Sequence, residues 1–166
     1  MSTMHYYPTD LTEAQWTLLL ALLPARNWRP GGPGRPPCDV RQVFNGILYL
    51  LKTGCQWRMV PREFGKWNTL YAYFKAWRQT GVWAKLMEAL RQCERRRQGR
   101  QVEPSAGSVD SQSIKTATQA MEVGFDGGKQ VKGRKRHLFV DTLGLLIAVV
   151  VTAANTDDRV GLLMLL

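Results

Sequence analysis

Apolar residues recur three and four apart at the start of the chain. Trp16, Leu19, Leu20 and Leu23 predict an amphipathic helix with these side chains on one face. Thr12 with Gln15 three residues on is the capping-box pattern, Leu11 can staple onto Trp16, and Pro24 ends the run. A second helix follows from an Asp39 cap through Val40, Val43, Phe44, Ile47, Leu48 and Leu51 to a Gly54 terminator. Next comes a short helical piece from Pro61 to Phe64, stopped at Gly65. A third long helix then runs from an Asn68 or Thr69 cap to about Thr80, with Leu70, Phe74 and Trp77 pointing inward. Short helix, glycine turn and longer helix make the helix-turn-helix outline. A last helix, Val82 to about Gln98, buries Trp83, Leu86, Met87 and Leu90. It ends in Arg95, Arg96 and Arg97, where the helix dipole favours cations.

From Ala106 the texture changes to strands. GSVDSQSIK, RKRHLFVDTLG and LLIAVVVTAAN read as strands, the last two joined by a tight turn at Thr142 to Gly144. TATQAMEVGFDGGKQVKG, between the first two, reads as a loop. TDDRVGLLMLL reads as the opening of a helix capped by Thr156 or Asp157. The expected fold is α+β: an all-α domain over residues 1–98, a linker over 99–105, and over 106–166 three antiparallel strands with the start of a helix.

Charge follows the same division. The net charge is +10, and residues 1–100 hold 16 basic and 6 acidic side chains while residues 101–166 hold 7 of each. A basic helical domain suits a polyanion, since neutralising phosphates releases counterions; double-stranded DNA is the expected partner. Cys38, Cys55 and Cys93 are odd in number and lack metal-ligand spacing, so they point to half-buried reduced thiols rather than a disulfide framework or a zinc site. No signal-peptide pattern and no span-length apolar run is visible, which leads to the expectation of a cytoplasmic protein.

Several residues carry candidate chemistry. Asn68, Thr69, Tyr71, Lys75 and Arg78 lie on or at the start of the third helix. Asn68, Tyr71, Lys75 and Arg78 share its polar face, and amide, phenol, ammonium and guanidinium groups there suit phosphates and base edges; a plain solvated face is the alternative. Arg35 sits in the Pro/Gly-rich stretch 25–37, readable as a minor-groove arm or as an ordinary loop. Lys129, Lys132, Arg134, Lys135 and Arg136 form a basic run suited to tracking a DNA backbone, or to guarding an aggregation-prone strand. His137 beside it reads as a phosphate contact or as strand surface. Asp110, in the middle of GSVDSQSIK, needs either hydrogen-bond donors or a metal if it is buried.

In order along nearly the whole chain, YPTDLTEAQWTLLLALLP, GRPPCDVRQVFNGILYLLKTGCQWRMVP, WNTLYAYFKAWRQTGVW, VDSQSIK and KGRKRHLFVDTLGLLIAVVVTAANTDDR resemble bacterial insertion-sequence transposases of the IS5 type, within the DDE group. The resemblance implies an N-terminal domain that binds terminal inverted repeats, followed by a ribonuclease-H-like domain. It also implies metal-dependent cleavage and strand transfer of DNA. Asp110 is then the first carboxylate of a triad that holds two divalent ions, Mg²⁺ or Mn²⁺. Counted along the family pattern, the second Asp and the Glu fall beyond these residues, and Asp157 and Asp158 read as helix-start residues. The triad is therefore expected to be incomplete here, and these residues alone inactive in cutting. DNA binding, repression of transposition, association with full-length subunits or self-association, and a decayed remnant are the readings that follow.

Overall fold

Helix α1, Glu13–Leu20, begins where its capping pattern places it. Thr12 Oγ1 accepts the Gln15 N–H at 3.3 Å and Gln15 Oε1 accepts the Thr12 N–H at 3.0 Å, so two orphan donors of the first turn are satisfied reciprocally. The computed structural model describes residues 7–24, 38–116 and 122–165. Among these the chain is α+β, with five α-helices and one antiparallel sheet, and it divides into two units, Met1–Ala89 and Leu90–Leu166.

In the first unit, helix α2 spans Val40–Thr53. Asp39 caps it by accepting the Arg41 N–H, and Gly54 closes it at φ 67°, a left-handed conformation that glycine adopts without a Cβ penalty. Val43, Phe44 and Ile47 are buried, as their spacing predicts, whereas Leu51 is exposed. Two polar side chains missed by the periodicity are buried with them. Asn45 accepts the Leu11 N–H, and Arg41 donates to the Leu11 carbonyl and to Glu13, so α2 fastens the approach to α1. Single 3-10 turns at Trp57–Met59 and Arg62–Phe64 lead to helix α3, Trp67–Gln79. Its cap is Lys66, with no side-chain bond; Asn68 and Thr69 lie inside the first turn rather than capping it.

Leu70 and Trp77 of α3 are buried against Phe44 and Ile47 of α2, with Leu86 from helix α4, Val82–Arg97, in the same core. Rings of Phe44, Phe74, Trp77 and Trp83 meet at centroid separations of 5.4–5.8 Å, in tilted and edge-on geometries. Three further expected core positions are exposed instead, Met87 and Leu90 on α4 and Leu20 at the end of α1. The spacing of Leu20 suits a longer helix, but α1 stops at Leu20 and the chain turns there.

The second unit begins within α4 and contains strands β1, Gly107–Lys115; β2, Gly124–Asp126; β3, Val131–Asp141; and β4, Leu146–Ala153, followed by helix α5, Asp158–Leu165. The central strand is β3, paired antiparallel with β1, β2 and β4. The stretch read as a loop thus holds a strand, β2, only three residues long and pairing Gly124 with Gly133 and Asp126 with Val131; so short a run shows no alternation. Residues 99–105 are fastened rather than free. The Arg95 guanidinium donates to the Gln101 carbonyl and to Asp141 at 2.5 Å, with the Glu103 carbonyl at its limit of reach, 3.5 Å. Asp141 also accepts the N–H groups of Leu143 and Leu145, which shapes the β3–β4 turn. Burial alone would push the Asp141 carboxyl up, but those N–H groups and Arg95 together hold it below its ordinary value.

Cys38, Cys55 and Cys93 form no disulfide; Cys38 and Cys93 are exposed, where half-buried positions were expected. Among the described residues, no helix is long and apolar enough to cross a membrane.

Candidate active-site strand and nucleic-acid interface

Successive side chains on a strand point to opposite faces, and β1 uses this to separate two chemistries. Ser111 and Ser113 face α5. Ser111 Oγ donates to Asp158 at 3.0 Å and Ser113 Oγ to Asp126 at 2.5 Å. Lys135, directly across from Ser113, is buried on the same face. Its ammonium donates to the Thr156 carbonyl at 2.8 Å and to Asp158 at 2.9 Å, with Asp126 at 3.7 Å. Hydrogen bonds from Ser113 and from the Lys129 N–H hold the Asp126 carboxyl below its ordinary range, and the hydrogen bond from Lys135 does the same for Asp158. Asp126, Lys135, Thr156 and Asp158 border a hollow of about 430 Å³ between β2 and the start of α5.

Asp110 lies between the two serines' side of β1 and points the other way. It is exposed, with Leu138 as its cross-strand neighbour, and among the described residues its carboxylate has no ion pair or hydrogen bond from a side chain. Because β3 alternates too, the basic run splits between faces. Lys132, Arg134 and Arg136 share the face of Asp110, and Arg136 donates to Gln112 at 2.6 Å. Lys135 goes to the α5 face, where its charge is committed to Asp158 and Asp126, so it does not join the exposed row. Lys129 reaches back to β1 and donates to the Ser111 carbonyl at 2.7 Å. His137, expected at the surface, is instead fully buried: Nε2 meets Thr152 Oγ1 at 3.1 Å and the ring lies against Gly161 of α5.

Asp157 and Asp158 stand at the start of α5, as the sequence suggests. The Asp157 side chain accepts the Arg159 N–H, while Asp158 is taken up by Lys135 and Ser111. Among the described residues, no three of His, Cys, Asp and Glu converge so as to hold a metal ion. Asp110 therefore offers one carboxylate, on the face away from Asp126 and Asp158, and the residues present do not fit a Mg²⁺ or Mn²⁺ site. No step through a metal follows from them.

In the first unit, Asn68, Tyr71, Lys75 and Arg78 of α3 are all exposed and Thr69 is half-buried. The Tyr71 ring rests edge-on against Trp57 at 5.3 Å while the residue stays exposed. Arg35 lies outside the described residues. The spacing of α3 was sufficient to find its outer row. Asp126 and Ser113, which donates to it, were missed; their one sequence signal is the alternation that sets Ser113 opposite Lys135.

The family described as "Putative transposase of IS4/5 family" matches residues 11–87, and the "Transposase DDE domain" matches residues 102–166. The insertion element IS402 uncharacterized 16.2 kDa protein of Burkholderia cepacia is 37% identical over 112 residues, covering 66% of this chain and 75% of that protein. No solved structure matches the chain. Helical and DDE-domain segments in this order, with an insertion-element relative of this identity, mean that the chain belongs to the insertion-sequence transposases.

Proposed function

We propose that the first unit binds the terminal inverted repeats of an IS5-type element through a helix-turn-helix formed by the 3-10 turn Arg62–Phe64, Gly65 and α3, and that Asp110 is the first acidic residue of a DDE centre. The observation that carries the reading is the placement of Asp110. It is exposed at the middle of β1, on the face that also bears Lys132, Arg134 and Arg136, so a carboxylate and a row of cations meet one surface. A phosphodiester could lie along those cations with the carboxylate beside it. The order β1, β3, β4, α5 supports a ribonuclease-H-like arrangement, and DNA transposition in the cytoplasm, on nucleoid DNA, is the process it would serve.

Among the described residues Asp110 is the one carboxylate on that face, so on this reading these residues by themselves bind DNA without cutting it. This favours a second role for the chain as it stands, occupying element ends or joining full-length subunits and so repressing transposition. Binding is tested by fluorescence anisotropy on a duplex from the element end. Affinity should fall steeply with salt, and Lys75→Ala with Arg78→Ala should abolish discrimination against a scrambled duplex; unchanged affinity in that double variant would remove α3 from the interface. Nicking with Mg²⁺ or Mn²⁺ that vanished in Asp110→Asn would overturn the claim that these residues alone do not cut.

A further inference from the structure

The basic surface of the first unit does not stop at α3. Between Gly54 and Gly81 there are five basic side chains, Arg58, Arg62, Lys66, Lys75 and Arg78, against Glu63 alone. We infer that Arg58 is a DNA-phosphate contact at the N-terminal end of the α3 interface and that Trp67 is the platform that positions it. The inference rests on the reading of α3 as a DNA-binding helix and extends that interface to residues outside the helix's polar face.

Geometry sets up the pair. Trp57 is held by two rings of α3, edge-on to Tyr71 at 5.3 Å and tilted to Phe74 at 5.4 Å, so the turn Trp57–Met59 is clamped onto the helix. The next residue, Arg58, is thereby carried over Trp67, with its guanidinium carbon 5.4 Å from the ring centroid. Trp67 is the first residue of α3 and 39% exposed, so its ring is not simply a core side chain. Positions 67, 71, 75 and 78 fall on one stripe of a helix, which places the Arg58–Trp67 pair in line with Tyr71, Lys75 and Arg78.

The rise from Trp67 to Arg78 is about 17 Å, more than the roughly 12 Å width of a major groove, so a helix whose middle reads bases has its end at the flanking phosphates. Arg58 has no carboxylate partner among the described residues, and stacking on an indole leaves all its N–H donors at the ring edge free for phosphate oxygens. A guanidinium already oriented by the ring loses less freedom when it binds.

The test uses the 166-residue chain and two labelled duplexes, one from the element end and one scrambled, in anisotropy titrations over a range of salt. Arg58→Ala should weaken binding to both duplexes by about tenfold and lower the slope of log affinity against log salt by about 0.9, as loss of one phosphate contact requires. Trp67→Leu should weaken both while leaving the slope nearly intact, since the charge remains. Trp67→Phe, which keeps a ring face, should restore most of the affinity. A merely structural tryptophan would instead move the melting temperature, which should stay at the native value in Arg58→Ala and Trp67→Phe. If Arg58→Ala binds like the native chain while Lys75→Ala with Arg78→Ala does not, the inference fails and α3 stands. If neither variant loses affinity, the α3 reading falls and this inference falls with it.

Discussion

The two units keep water out by different means. In the first, the buried side chains are almost all apolar, from Leu11 to Leu86, with Arg41 and Asn45 as the polar exceptions. In the second, Ala154 is the fully buried apolar residue among those described, while Arg95, Asp126, Lys135, His137, Asp141 and Thr152 are buried polar groups. An oily core tolerates moderate change through repacking, but a buried charge whose partner is removed has no comparable relief. The first unit should thus fail gradually under substitution and the second abruptly. The outward sheet face sharpens the contrast: Val149 and Val151 beside Leu138 are exposed or half-exposed on the side away from α5, so less apolar burial supports the second unit.

The largest effect should come from Asp141→Ala, which leaves the Arg95 guanidinium buried and unpaired. A loss of about 3–5 kcal/mol is expected, read by urea denaturation followed through hydrogen exchange in β3 and β4. Arg95→Met with Asp141→Leu should recover much of it. If that double variant were as unstable as the single, the contrast between an oily and an ionic interior would be the wrong one.

Gly161→Ala should be the next largest. Helix propensity alone would favour alanine by about 1 kcal/mol, but a Cβ at this position overlaps the buried His137 ring, and overpacking of this kind costs about 1–3 kcal/mol. Thermal melting should therefore show a destabilised chain. Combination with His137→Ala should reduce the penalty of the glycine change, a coupling that a double-mutant cycle detects.

Acid should separate the units with the smallest perturbation. Asp126, Asp141 and Asp158 all have folded-state values below the ordinary carboxyl range. The stability they supply is present above the unfolded value, about 3.9, and is lost as pH falls through the lower folded values. Hydrogen exchange below about pH 4 should show α5 and the β2–β3 region opening while α2 and α3 stay protected. Simultaneous opening of both units would mean that the ion network contributes little.

How much of this was legible depended on the kind of force involved. Capping and apolar spacing are local, so Thr12, Asp39 and Gly54 and the inward row Leu70, Phe74 and Trp77 could be read directly. Partners distant in sequence could not. Asp141 precedes the Thr142–Gly144 turn and gives no local hint of its partner, because Arg95 is 46 positions away, and Arg95 looked like one of three equivalent helix-end cations. His137 sat in a basic run that suggested surface, yet Gly161 of α5 covers it. Lys135 was legible in principle, since alternation along β3 separates it from Arg134 and Arg136, but its carboxylate partners come from β2 and α5. Asp110 was picked out by resemblance, and its exposure on the cation-bearing face could be seen only once the register of β1 with β3 was known.

The bonds of Arg95 also decide where the polypeptide can be divided. A cut at Gln98, where the charge balance changes, looks harmless in the sequence, yet it would strand Asp141 in the downstream piece without its counter-ion and release the carbonyl of Gln101. A downstream piece meant to stand alone must begin no later than Leu90, taking the last turns of α4 with it. A protease should find the same thing: the arginines at 96, 97 and 100 invite trypsin, while the peptide bond after Arg95 should be spared for as long as its side chain stays locked in place.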